Sequence, residues 1–572
     1  MLILVGAFVF GMAGFAIAVL DSRAQPAPTE PPPPSLPVLG AASAGTTTTP
    51  VRDGAPRRVL LALAEGDSSA EPSSTTKPWP AASEPPSAQP SLPSVAEAES
   101  APELVESVMP VVPVAGFWSN ATSLQRRALI DALETGVAPG FKRVVIEDRL
   151  AEPLANALDI QLGPGVRRAE MDALARAVRR GALGLVAADS LRPSLRALSV
   201  GRAALVGVDR VRRVGDWPLS VPLQLPAQEA WDQSRVWALM AGGDSFTDRG
   251  VYDTVVRKGK GIDFPFDGGT ATVTGHGCCD PVYNDNVVPR YQLTGNKGVV
   301  RALLRGADLA IANHEQPVTD DWAFHSGGFR FSGKPALAGM FKRAGFDFLS
   351  LANNHIGDYG PPGIADSRRI LRRTGVVVGG AGKDLDQARK VDFLEARGTT
   401  VAVIPCLAIV KVYWAADGKA GATPCQDRYI RKDVRKARRA GADVVIVFPH
   451  WGVEYTRSPL ESMRRHAARW IEAGADLVIG SHSHVTGAIE EIDGVPVLYS
   501  LGNLVFDQNW STNTMESALL EATFSGDRLL ALRLRPYIIH DRSQPNLLDP
   551  AKGEGRRLLL EVKRASSAWL KW

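Results

Sequence analysis

One unit recurs four times in this 572-residue chain and limits what it can fold into: RGADLAIANHE (305–315), RAGFDFLSLANNH (343–355), RAGADVVIVFPHWG (439–452) and EAGADLVIGSHSH (472–484). Each carries a glycine of the kind that closes a helix. A near-continuous apolar run of strand length follows, and then polar residues able to hold a metal or a proton. Apolar runs without alternation belong to strands covered on both faces. Helix and strand in repetition predict an α/β domain of mostly parallel strands with right-handed crossovers. Because parallel strands share a C-terminal edge, their polar ends are expected to meet at one end of one sheet, where open α/β sheets place their sites. A related stretch, VWALMAGGDSFTDRG (236–250), runs through two glycines into Asp244.

Together these strand ends contribute Asp244, Asn313, Glu315, Asn353, Asn354, His355, His450, His482 and His484. Two carboxylates with amides and imidazoles form a mixed N/O donor set suited to Mn, Fe, Zn or Mg, with no thiolate to select zinc. His482 and His484, two of nine histidines, stand one residue apart. In an extended segment they would point to the same side. Two imidazoles cannot close a metal site alone, so the expectation of a divalent metal rests on five strand ends converging.

The remaining chain sets the context. An apolar content of 45% and a charged content of 22% are those of a globular protein. The net charge of +4 is spread over expected helices such as RKDVRKARRAG (431–441). Without a basic tail or an aromatic-interleaved basic strip, nucleic acid is excluded as a partner. The first twenty residues carry no charge, so residues 1–24 read as a transmembrane anchor or, with Ser22 and Ala24 before a cut, as a signal peptide. Residues 25–105, rich in Pro, Ala and Ser, read as a disordered linker. This pairing places the folded part on the extracytoplasmic face of the cell membrane, or in a secreted or periplasmic fraction after cleavage. Four cysteines (Cys278, Cys279, Cys406 and Cys425) fit disulfides in that setting, with Cys406–Cys425 the sequence-local pairing. Residues 106–230 read as a small accessory α/β domain without catalytic spacing. Residues 235–545 hold the repeated unit, with PVLYSLGN (496–503) as a strand ending at Asn503 and a hairpin over 518–539 completing the second sheet. Residues 546–572 read as a C-terminal tail.

In order, GGDSFTDRG, ADLAIANHEQP, FDFLSLANNHIGDYG, FPHWGVEY, IGSHSHV and YSLGNLVFDQ resemble the motifs of the CapA family of poly-γ-glutamate capsule biosynthesis proteins, itself similar to calcineurin-like metallophosphatases. The likeness covers about residues 236–510. It implies a four-layer αββα sandwich with a dinuclear divalent metal centre at the strand ends. Carried over, Asp244 and His484 would hold a first metal, Asn354, His450 and His482 a second, and Glu315 would bridge them. His355 would be the general acid. Arg330, Lys334, Asn313 and Asn503 would meet an anionic substrate. There are two departures. Phosphatases place Asp-x-His at the first strand end, and Phe246 stands where the histidine belongs. GDSFTDRG also matches a phosphatase second motif, yet no Asp-x-His strand precedes it, so Asp248 and Arg249 read as structural. The function implied is biosynthesis, export or remodelling of an anionic capsule polymer, in company with the membrane and other capsule subunits. The alternatives are a metal-dependent phosphoesterase acting on another phosphorylated substrate and a non-catalytic polymer-binding scaffold.

Overall fold

The computed structural model describes residues 104–278 and 287–572. The expected anchor or signal segment and nearly all of the expected linker lie outside those residues, as does Cys279. Among the described residues no helix is long and apolar enough to cross a membrane.

The first strand, Leu104–Gly116, organises the accessory region. It pairs antiparallel with Leu183–Ala187, Leu195–Ala197 and Ser220–Pro226. Val144–Glu147 lies parallel to both Leu183–Ala187 and Val166–Ala169. Helix Arg126–Thr135 stops where Gly136 turns left-handed at φ 75°, the conformation glycine adopts without a Cβ penalty. Leu129, Leu133, Leu174 and Val178 close this region's own core.

Beyond it stand two sheets. One runs Val377–Gly379, Phe348–Ser350, Leu309–His314, Val236–Ser245, Glu516–Ser525, Arg528–His540 and Gln544–Leu547, with Asn503–Val505 also paired to Val236–Ser245. The other runs Asp392–Ala396, Thr399–Leu407, Val444–His450, Leu477–Ile479, Val495–Leu498 and Ile489–Ile492. The strands of the repeated unit are parallel within each sheet. Side-chain alternation assigns the layers. Trp237, Leu239 and Ala241 meet Val444, Ile446 and Phe448 between the sheets. Ala238 and Met240 face Leu303, Ile364 and Leu371 of the helices Val299–Gly306 and Gly360–Arg373. On the far side, Val445 and Val447 pack under Ile430, Val434 and Trp470 of Asp427–Arg439 and Glu461–Glu472. Helix, sheet, sheet and helix therefore form four layers. Each fully buried aliphatic side chain contributes about 1.5–3 kcal/mol.

Three expectations are corrected. The polar strand ends were expected on one sheet, and they divide between two. Every strand of the repeated unit is covered on both faces, so its apolar run does not record whether the cover is a helix layer or another sheet. The expected hairpin exists, but it extends the eight-stranded sheet beside Val236–Ser245, where Phe524 stacks on Trp237 with ring centroids 4.3 Å apart. Residues 546–572 were expected to be a tail. They contain the helix Gly553–Ser566, whose Leu558, Leu559 and Val562 enter the inter-sheet core. Cys406 is bonded to Cys425.

Candidate metal centre

Both sheets deliver polar residues to the same edge. Val236–Ser245 carries Asp244 near its end, and Gly243 allows that approach. A Cβ on Gly243 would lie 1.8 Å from the Gly502 carbonyl oxygen, to which Asp244 donates its backbone N–H. Leu309–His314 carries Asn313 and leads into Glu315. Phe348–Ser350 leads to Asn353, Asn354 and His355. His450 closes Val444–His450 in the second sheet, and Leu477–Ile479 leads to His482 and His484. The SHSH segment is not extended, contrary to expectation. His482 and His484 have φ of 93° and 57°, a left-handed region that costs non-glycine residues about 1–3 kcal/mol each. The strained turn, rather than strand alternation, brings both rings to one place, with centroids 6.1 Å apart.

The donor atoms form two groups sharing one residue. Glu315, His450 and His482 make one, and Asp244, Glu315 and His484 the other; within each, the ligand atoms lie within 4.8 Å of one another. His450 Nε2 lies 3.6 Å from Glu315 Oε1 and 2.7 Å from Asn354 Oδ1. Asn313 donates to Asp244 Oδ1 at 2.8 Å, and Asp244 Oδ2 accepts the His482 backbone N–H at 3.0 Å. Asn503 belongs to the support of this cluster. Its Nδ2 donates to Gln508 Oε1 and to the Thr514 carbonyl, each at 3.0 Å, so its Oδ1 accepts from His484 Nδ1 at 2.8 Å. The His484 proton is thereby held on Nδ1, and Nε2 turns its lone pair toward Glu315 Oε1 at 3.9 Å.

Burial governs the charges. It pushes Asp244 up to about 7, and it pushes Glu315 well above the ordinary carboxylate range, with the charge of Asp244 adding to the effect. It presses His482 down to about 4, and it presses His450 and His484 well below the ordinary range, His482 adding to both. Two fully buried carboxylates that resist ionisation beside imidazoles that resist protonation make a cavity short of positive charge. Glu315 Oε1 and His482 Nδ1 are buried without a hydrogen-bond partner, whereas buried polar atoms are ordinarily paired. A divalent cation fits this donor set, because it would occupy the orphaned atoms and offset the carboxylate charge.

The other expected residues sit as follows. His355 lies beside the cluster, its Nδ1 2.9 Å from Asp358 Oδ2 and its ring 4.1 Å from that of Phe331. Arg330 donates to the Asp358 carbonyl at 3.0 Å and lies over the Tyr359 ring. Lys334 lies over the Trp322 ring at 4.8 Å. Phe246 is fully buried and stacks on Phe506 at 4.1 Å, so an apolar ring fills the position where the Asp-x-His pattern has a ligand. Asp248 is structural as read: it accepts the N–H of Arg249, His325 and Ser332. Arg249 does more than that reading gave it. It pairs with Asp507 Oδ1 at 2.5 Å and lies 4.6 Å from the Phe331 ring, and its charge reaches Glu315 and His484. Asp358 was also missed; its signal was the spacing HIGD, which puts a carboxylate three residues after His355.

Comparison with known proteins follows the same residues. A family model described as bacterial capsule synthesis protein PGA_cap matches residues 238–508. A PGA biosynthesis protein CapA of Bacillus subtilis is 30% identical over 269 residues, which are 45% of this chain and 70% of that protein. A capsule biosynthesis protein CapA of Bacillus anthracis is 30% identical over 252 residues, 43% of this chain and 61% of that protein. Likeness to solved structures is weak. A Haemophilus influenzae NAD nucleotidase has 13% identity and a TM-score of 0.32, over 58% of this chain and 62% of that one, too little to bear on chemistry.

Proposed function

This chain belongs to the CapA family of bacterial capsule synthesis proteins, and from that premise we propose that it acts in the biosynthesis of an anionic poly-glutamate surface polymer as a metal-dependent hydrolase or transferase. The observation that carries the reading is the pair of donor groups sharing buried Glu315. Asp244, Glu315 and His484 would hold one divalent cation, and Glu315, Asn354, His450 and His482 a second. When bound, such cations neutralise charge on an oxyanion and acidify water. The remaining work falls to the chain. Asp358 holds the His355 ring by Nδ1, which leaves Nε2 to give a proton to a leaving oxygen. Arg249, held by Asp507, lies close enough to ease the burial of charge on Glu315. Residues 1–24 would keep the domain on the extracytoplasmic face of the membrane.

One observation favours a second reading. Phe246 leaves the Asp244 group short of a histidine, as suits a scaffold that binds polymer without turning it over. Complementation of a deletion strain separates the two. For an enzyme, His355→Asn keeps its metal and fold and lowers polymer output about a hundredfold or more, the scale of general-acid loss. A metal-loaded His355→Asn protein with parental output would establish the scaffold.

A further inference from the structure

Away from the metal centre, a cavity of about 290 Å³ lies where the accessory region meets the hairpin, lined by Ser123, Arg196 and Ser199 on one side and by Arg533 and Arg535 on the other. The two hairpin arginines alternate with Leu532 and Leu534, which enter the inter-sheet core. Their guanidinium groups therefore stand on the opposite face of the sheet. The neighbouring buried acid is Glu521. Arg535 occupies both of its oxygens, at 2.9 and 3.2 Å, and Val208 donates a backbone N–H to it at 2.7 Å. Arg533 comes no closer to it than 3.6 Å. Arg196 donates to the Phe117 carbonyl and Arg556 to the Trp118 carbonyl, and among the described residues neither forms an ion pair. Burial, with Arg533 and Arg556 nearby, presses Arg196 down to about 10. Two carboxylates thus serve a group of four arginines: Glu521 and Asp209 both pair with Arg535, Arg533 reaches only Glu521, and Arg196 and Arg556 reach neither. These arginines are half-buried, where a counter-charge offsets part of the cost of desolvation, and guanidinium forks match planar oxyanions.

We propose that this pocket binds carboxylate groups of the anionic polymer at a site separate from the metal centre. The inference rests on the poly-glutamate reading, which supplies a chain of carboxylates. The volume is at the lower end for ligand sites, about 300–1,000 Å³. It suits one or two carboxylate-bearing units, with the hydroxyls of Ser123 and Ser199 as further donors. The same chemistry would take a phosphate, so both are tested. The full chain, stripped of metal by a chelator, is titrated calorimetrically with a γ-linked glutamate hexamer and, separately, with inorganic phosphate. The expected result is hexamer binding that Arg533→Gln weakens about tenfold, that Ser123→Glu at the exposed lip weakens at least as much by repulsion, and that His482→Ala leaves unchanged. Thermal melts of the variants identify loss of fold, and the Ser123 variant changes an exposed side chain. No hexamer binding by folded protein overturns the proposal, as does binding that survives both pocket variants or is lost with His482→Ala. Phosphate binding tighter than the hexamer overturns the carboxylate assignment. Because the titration excludes metal, its failure leaves the metal-centre reading standing, and failure of the metal-centre reading leaves this result intact.

Discussion

Two buried glutamates separate the accessory region from the four-layer region. Glu147 accepts the Ala187 N–H at 2.8 Å and the Ser190 hydroxyl at 2.9 Å, and Arg149 pairs with it. Glu315 is fully buried, yet its Oε1 has no donor and its Oε2 accepts a single long bond of 3.4 Å from Asn313. The first carboxylate holds strands together. The second is held in place by its surroundings while its own needs go unmet, as expected where a ligand completes the site. Burial alone would not have distinguished them. The difference lies in which donors arrive, and in the second case imidazoles arrive in place of N–H groups.

The largest expected effect tests the support of the Glu315 cluster. Asn503→Ala should weaken metal binding ten- to hundredfold by releasing the His484 ring, read by competition against a metal-sensing dye. Ser190→Ala, which removes a comparable bond from Glu147, should leave metal affinity unchanged. The next concerns stability, measured by urea unfolding in the presence of chelator. Glu147→Ala should cost about 2 kcal/mol by stranding the Ala187 N–H, whereas Glu315→Gln should cost less than about 1 kcal/mol, since no donor loses a strong partner. Equal losses would break the comparison. The smallest effect sharpens it with a third glutamate. Burial pushes Glu521 up, but Arg535 and Arg533 overcome it and hold its pKa at about 2, below the ordinary 4.5. A depressed carboxylate contributes stability that is full above 4.5 and lost as pH falls toward 2. Acid unfolding of Glu521→Gln should therefore be shallower than that of the parent across that window.

Much of this was legible in the sequence. The strands that carry Asp244, Glu315, His450 and His482 follow from apolar runs bounded by glycine and polar residues, and the convergence of those residues follows from parallel pairing. The division between two sheets was not legible, because Leu309–His314 and Val444–His450 have equally apolar runs while one lies under a helix layer that the other does not share. The geometry of His482 and His484 was hidden for a different reason: positive φ in a non-glycine residue leaves no compositional mark, so SHSH reads as extended. Phe246 was visible as a departure, but its stacking on Phe506 depends on residues 260 positions apart. The arginine pocket escaped notice because Arg196 and the Arg533/Arg535 pair come from two distant strands and look like ordinary exposed charge in each.

The central claim is that the strand ends of both sheets form one metal centre. Its most direct test is elemental analysis of the purified full chain beside His450→Ala and His482→Ala. The account predicts a divalent metal in the parent and the loss of at least one equivalent in each variant, with fold retained by circular dichroism; variants as fully loaded as the parent would contradict it.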